Sequence, residues 1–584
     1  MHAQIFARPG RAGRRSGARP ASRASRAFVV ALAIAATALS GCGAEGGEQP
    51  SEESATVNGL KAYDINPMSR EKVREGGTLR WGLSEFPSQW NQNHVDGNLA
   101  VVEKVISALM PRPFVSDMRG EVSANPDYLS KAEVTETDPR QVVTLTLNPK
   151  AKWSDGRPIT WHDYQAQWQA MNGRNTSYRA ATTVGYADIE KVERGENDHQ
   201  VVITFTRPFG DWMSLFTPLY PSSTNGSPDT FNNGWLNAIP VTAGPFKFAK
   251  FDRAAKSVSV VRDDNWWGDE ARLDQIVYRG MDGGGLVGAF AAGELDVADL
   301  GPAVADHHRV RNSAGAIVRQ AAGPDYRQLT LNGESRALSD VRVRQAVAVG
   351  VNRQALAQSD LQGLDWPTAL LNNHFFMNTQ AGYRDGSGEL GGYDPAKAEK
   401  LLDQAGWVKK GDVRVKDGEQ LKLRFVIPSG LQLAKSEGEL VKRDLRQIGV
   451  AVQVQTVPSD EFFTEYIIPG KFDIAPFSYV GTPFPVSSGF GQYANAAGGD
   501  KQWNANLGRI GSEEIDAAMR KATASLDPAD ARAHANAADR LLWQAVNVLP
   551  LYQRPQSVAV RDTLANVGAR GFHDLRYQDI GFTK

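Results

Sequence analysis

Nucleophilic, redox and metal chemistry find little support in the residue types this chain offers. It has one cysteine, Cys42, so no intramolecular disulfide and no cysteine metal cluster can form. Gly-x-Ser-x-Gly and His-Glu-x-x-His are both missing. Gly283-Gly284-Gly285-Leu286-Val287-Gly288 does satisfy Gly-x-Gly-x-x-Gly after a strand at 276–278. A dinucleotide site, however, needs a full-length helix and then a second strand ending in an acid about twenty residues on. Here the spacing predicts a helix of only about 286–292 and a strand at 295–300, which excludes that cofactor. His94 has no partner at metal-ligand spacing, and His307-His308 are adjacent, so they point apart on a helix. No catalytic residue, metal or cofactor is assigned. Scattered carboxylates leave a surface-anchored hydrolase as the competing reading, and binding is the chemistry that the rest of the sequence supports.

Binding candidates fall in three stretches. Glu85, Phe86, Trp90 and His94 follow a predicted strand at 78–83, and Asn372, Asn373, His374 and Phe375 bring amides and aromatics together in a predicted loop. The third runs from Asp473 to Asp500 with no charge between them, and contributes Tyr479, Phe484 and Tyr493. An uncharged, ring-lined slot of this kind suits a bulky, partly apolar ligand with amide or hydroxyl groups.

The elements that must position these residues read as alternating strands and helices. Leu329 and Leu331 alternate with polar neighbours in a strand at 329–332. Ser339 or Asp340 then caps a helix from about Val341, with Val343, Ala346, Val347 and Gly350 inward and Arg342, Arg344 and Gln345 outward. Alternation at 143–147 and 201–205 predicts further strands, and Trp161 opens a helix. Asp394-Pro395 and Asp527-Pro528 each start a helix, the aspartate as cap and the proline at the first turn. A strand at 421–427, a helix at 439–447 and a strand at 450–454 give a βαβ rhythm, hence an α/β class with mixed, mainly parallel sheets.

Several of these segments share their wording with one family. Trp153-Ser154-Asp155-Gly156, Gly244-Pro245-Phe246, Asn265-Trp266-Trp267-Gly268, Gly293-Glu294-Leu295-Asp296, Gln328 to Leu356 and the Asp394-Pro395 helix resemble, in this order, the extracellular solute-binding proteins of family 5, the peptide/nickel type of ABC importer. The resemblance covers nearly all of the chain after residue 76. It implies a type II periplasmic-binding fold of the large class with an inserted domain and a hinge crossed twice. Lobe 1 would be 76–100, 241–322 and 548–584, the inserted domain 101–240, and lobe 2 323–547. It also implies that the loop after the first strand reaches the ligand. Peptide-binding members carry an aspartate for the peptide amine where this chain has Tyr479-Val480-Gly481-Thr482-Pro483. An uncompensated ammonium is costly to bury. A longer or N-blocked peptide, or a glycolipid, therefore enters as ligand beside the ordinary peptide, and Glu85 is the substitute charge on offer. Trp266 and Trp267 are expected to pack rather than to stack on a ligand.

Before residue 76 the sequence reads as an address. Seven arginines and no acid precede a thirteen-residue apolar run, 27–39, too short to span a bilayer. Leu39-Ser40-Gly41-Cys42 resembles a lipobox, which makes 1–41 a lipoprotein signal, Cys42 the lipidated residue and 42–75 a flexible tether. Arg14-Arg15 leaves the export route open. The remainder carries 58 basic against 66 acidic residues, no footprint for nucleic acid. The sequence is thus read as a monomeric, lipid-anchored binding component on the outer face of the cell membrane. It would pass a peptide, peptide-like or glycolipid ligand to an ABC permease, or would act as a regulatory lipoprotein of the same fold without one.

Overall fold

The computed structural model describes residues 55–584 apart from 282 and 498–501. The signal segment and Cys42 lie outside the described residues. The frame is a ten-stranded mixed sheet. Its strands in chain order are β1 (Thr78–Leu83), β2 (Phe246–Asp252), β3 (Ser257–Arg262), β4 (Gln275–Gly280), β5 (Val297–Leu300), β6 (Ala316–Leu331), β7 (Lys422–Pro428), β8 (Ala451–Val457), β9 (Ile474–Val480) and β10 (Val548–Arg561). Across the sheet they run β2-β3-β4-β1-β5-β10-β6-β9-β7-β8. The βαβ unit predicted at 421–454 is parallel, Lys422 pairing with Ala451.

Two separate apolar cores flank the middle of this sheet and define two lobes. Leu79, Val105, Phe246, Ile276 and Val560 belong to the first. Leu331, Val347, Leu402, Phe425 and Leu445 belong to the second. The chain passes between them along β6 and β10, which pair antiparallel from Ala316↔Arg561 to Thr330↔Val548. That ladder breaks its register between Ala322 and Tyr326, at Gly323-Pro324, opposite Pro555. Proline donates nothing to a ladder, so the paired strands loosen where the lobes meet. Residues 129–205 add a four-stranded antiparallel sheet, with the helix Trp161–Met171 across it, to the first core.

Most local expectations follow from caps. Asp340, Asp394 and Asp527 each accept a hydrogen bond from a first-turn backbone N–H of the helix they precede. Trp161–Met171 starts on a reciprocal Thr160/Asp163 box. Trp266 and Trp267 pack on Tyr128, and Trp267 Nε1 donates to Asp127 O at 2.7 Å. Arg344, expected outside, is buried, because its guanidinium donates to the carbonyls of Leu338, Ser339 and Ala545. Residues 55–75, expected as tether, are folded. Leu60, Ala62, Tyr63, Ile65 and Val73 are buried, and Asp64 and Val73 bridge to Ala569 and Thr583 of the C-terminal segment. The apolar side chains here are scattered singly among polar ones, without helix or strand period, so each fills its own gap against a surface that the sequence does not announce.

Candidate ligand-binding cleft

A cavity of about 500 Å³ lies between the lobes. One wall comes from the first lobe: Glu103, Lys104 and Ser107 of the helix Ala100–Leu109, Arg112, Asp299, and the C-terminal residues Arg570, Asp574 and Tyr577. The hinge strands supply the floor, with Asp325, Arg327, Arg554 and Gln556. The opposite wall is apolar or uncharged: Leu431, Leu433, Ser478 and Val480.

The charges are matched pair by pair. Arg112 Nη2 lies 3.0 Å from Asp574 Oδ1, and Arg570 Nη2 lies 2.8 Å from Glu103 Oε1. Lys104 pairs with Asp299 and Arg554 with Asp325. Arg327 makes a two-pronged contact with Glu437, Nε to Oε1 at 2.8 Å and Nη2 to Oε2 at 2.5 Å, both side chains buried. Burial would push the Asp574 carboxyl up, but the Arg112 and Arg570 charges and the Ser116 N–H outweigh it and hold it below the usual range. Burial likewise opposes the charge on Arg112, and Asp574 and Glu103 outweigh it.

None of the expected site residues, among those described, lines this cavity. Glu85 is exposed, while Phe86 and Trp90 pack with Phe251, the Trp90 and Phe251 rings 5.2 Å apart. His94 is buried, its Nδ1 accepting from Asp96 N at 3.1 Å. Asn372 bridges Arg353 and Asp385. The structure does bring Asn373, His374, Phe375 and Tyr493 together, but as core. The rings of His374 and Phe375 stand edge-on to Tyr493, and Tyr493 Oη donates to His374 O at 3.2 Å. Tyr479 lies on β9 beside Tyr326 and Phe477, and Phe484 is half-buried at the start of Pro485–Tyr493. The expectation of an uncharged, ring-lined slot is therefore corrected. The first part of that stretch, 474–480, lacks charge because β9 is an interior strand buried along its length, and only its Ser478 and Val480 reach the cavity.

Asp539 organises the loop at 372–376. Its carboxylate takes His374 N and His374 Nδ1 at 2.7 Å each and Asn373 Nδ2 at 3.2 Å, all fully buried. Asp539→Ala should cost about 3 kcal/mol in urea unfolding, because two buried donors, His374 N and Nδ1, lose their acceptor, while Asn373 Nδ2 keeps Arg384 O and Asn536 Oδ1.

The residues that do line the cavity were missed because they meet from distant parts of the chain. Glu103 and Arg570 are 467 positions apart. The one local signal was a charge inside an otherwise apolar element, as with Arg327 on β6.

Comparison with known proteins places this architecture. Residues 125–501, more than half of the chain, match the model of bacterial extracellular solute-binding proteins, family 5 (middle region). The chain is 37% identical to the oligopeptide-binding protein OppA of Mycobacterium tuberculosis over 559 residues, 94% of this chain and 93% of that one. It is 30% identical to the probable monoacyl phosphatidylinositol tetramannoside-binding protein LpqW of the same species over 272 residues, 44% and 41% of the two chains. Among solved structures, the periplasmic EDTA-binding protein EppA superposes with a TM-score of 0.80 at 24% identity, covering 89% of this chain and 98% of that one. The Bacillus subtilis oligopeptide-binding protein AppA with a nonapeptide gives 0.68 at 18%, covering 88% and 100%. Two lobes joined by paired hinge strands, a cleft between them and a matching sequence lead to one conclusion: the chain belongs to the bacterial extracellular solute-binding proteins of family 5.

Proposed function

We propose that this protein is the solute-binding component of an ABC importer, closing its lobes on a short peptide or peptide-like ligand and presenting it to a permease. The observation that carries the ligand class is the charge-matched cavity. Every ionic group on its walls already has an opposite partner, so a ligand with net charge would enter without a counter-charge, whereas a neutral one, or one whose opposite charges pair with each other, avoids that cost. A metal chelate of high charge is disfavoured on the same ground. The volume fits a ligand of a few residues rather than a long extended peptide. The kinship with OppA of M. tuberculosis supports a peptide. We read the protein as held on the outer face of the cell membrane through a lipid on Cys42. No helix among the described residues is long and apolar enough to cross a membrane. Capture and release of an intact ligand, not turnover, is the activity assigned.

The partial match to LpqW favours one second reading, a glycolipid-binding or regulatory lipoprotein of the same fold. Mass spectrometry of the ligand eluted from native protein separates the two: a short peptide supports the importer reading, a mannoside lipid the other, and a processed product overturns both. The eluted ligand at a hundredfold over its Kd should add about 2.7 kcal/mol of stability. Val480→Trp places an indole in the cavity from its uncharged wall. It should weaken that ligand by about tenfold or more, read by tryptophan fluorescence, with the unfolding midpoint nearly unchanged.

A further inference from the structure

At its hinge side the cavity shares Leu300, Gly301, Pro302, Arg554, Pro555 and Ser557 with a second chamber of about 20 Å³. That is room for roughly one water-sized group. The chamber lies on the seam between lobes. Its lining includes His307, from the first-lobe helix Val304–Arg311, and Asp360, from the second-lobe helix Arg353–Leu361.

Of the two, His307 offers a buried acceptor without a donor, and Asp360 a buried carboxyl beside Tyr552 and Glu437. His307 is 1% exposed, and its Nε2 lies 3.0 Å from Gly301 O, which fixes the proton on Nε2 and leaves Nδ1 as a lone pair; Nδ1 has no partner. Asp360 is 9% exposed; neither of its oxygens makes a well-formed hydrogen bond, and the side chains nearest to it are Tyr552 and Glu437. Its neighbour Glu437 is itself a carboxylate. The charges nearby cancel in pairs, Arg327 with Glu437 and Arg554 with Asp325, so an ionised Asp360 leaves the cluster one unit negative. One positive charge that donates hydrogen bonds would satisfy every one of these groups. Among the described residues no group of three or more His, Cys, Asp or Glu side chains is arranged for a metal ion.

We propose that this chamber is a subsite for an ammonium group, seated between His307 Nδ1 and the Asp360 carboxylate and taking the place of the Asp360 proton. The released proton goes to solvent. The ammonium is either the free ion or a primary amine carried by the cleft ligand; the latter source rests on the peptide reading above. Burial first, and then the Glu437 charge, hold the Asp360 carboxyl up at about 9. The groups facing it are Glu437 from the helix Gln432–Gln447, Arg327 from β6, Tyr552 and Arg554 from β10, and His307, which burial keeps neutral. Proton and ammonium therefore compete, and ammonium binding tightens about tenfold per pH unit between pH 6 and 8.

The test titrates the intact, ligand-stripped protein with ammonium, ethylammonium, tetramethylammonium and potassium chlorides at constant ionic strength. The midpoint of thermal unfolding is read, together with calorimetric heat in two buffers of different ionisation enthalpy. Ammonium and ethylammonium should raise the midpoint and release close to one proton, and the other two cations should not. Asp360→Asn, which keeps the shape, should abolish both effects, and His307→Phe should weaken them. An equal response to potassium, no proton release, no response to any amine, or an unchanged Asp360→Asn protein overturns the proposal. Tri-alanine against N-acetyl-tri-alanine then identifies the source. A preference for the free amine that Asp360→Asn erases assigns the ligand's own amine, and equal binding of both assigns the free ion. If neither tripeptide binds while ammonium still does, the peptide reading fails and the chamber stands.

Discussion

Arg327→Leu should lower the stability of the second lobe by about 3–5 kcal/mol, measured as a fall in the urea midpoint. Arg327 sits on β6 with its guanidinium buried and both prongs on Glu437, whose side chain is wholly inside. Burial opposes the arginine's charge, and Glu437 outweighs that and raises its pKa. Removing the arginine alone strands Glu437 next to Asp360, two carboxyls with no cation between them. Removing both partners is a different experiment. Arg327→Leu with Glu437→Leu should recover most of the loss, since a buried pair exchanged for apolar side chains of similar size is often neutral. A double variant as unstable as the single one would show that the cost lies in packing and not in the orphaned charge.

The second large effect is a dependence of stability on pH that runs opposite to the usual carboxylate case. Asp360 titrates near 4 in an unfolded chain and is pushed up to about 9 in the folded one, by burial and then by Glu437. Between those values the folded protein holds a proton that the unfolded chain does not. Its contribution is therefore complete below pH 4 and is lost as pH rises toward 9, by up to about 1.4 kcal/mol per unit. Asp360→Asn should remove this slope, leaving the variant more stable than the parent at pH 8. Denaturant midpoints at pH 6, 7 and 8 in both proteins decide it; parallel curves would mean that Asp360 is ionised throughout.

Local structure was legible wherever one residue does the work. An aspartate before a proline predicts a capped start, and 395 and 528 are where those helices begin. The cleft was legible only as a consequence of family resemblance, and its lining was not. Residues such as Phe375 and Tyr493 were selected for ring and amide chemistry, but a ring near an amide describes a satisfied interior as well as it describes a binding wall. Conversely, Arg112, Arg570 and Asp574 carry no motif; they acquire meaning only when the last segment of the chain folds back on the helix Ala100–Leu109. Burial of Arg344 was hidden for a related reason, since the carbonyl of Ala545 that it caps lies 201 positions away.

The folded start of the chain sets a leash. If the acyl anchor is on Cys42 as proposed, only thirteen residue steps separate it from Ala55, a buried residue of the folded body. Even drawn straight, thirteen residues reach no further than about 45 Å. The cleft must therefore trade its cargo within a shallow layer above the lipid. Lengthening the stretch before Ala55 would test whether delivery depends on that nearness.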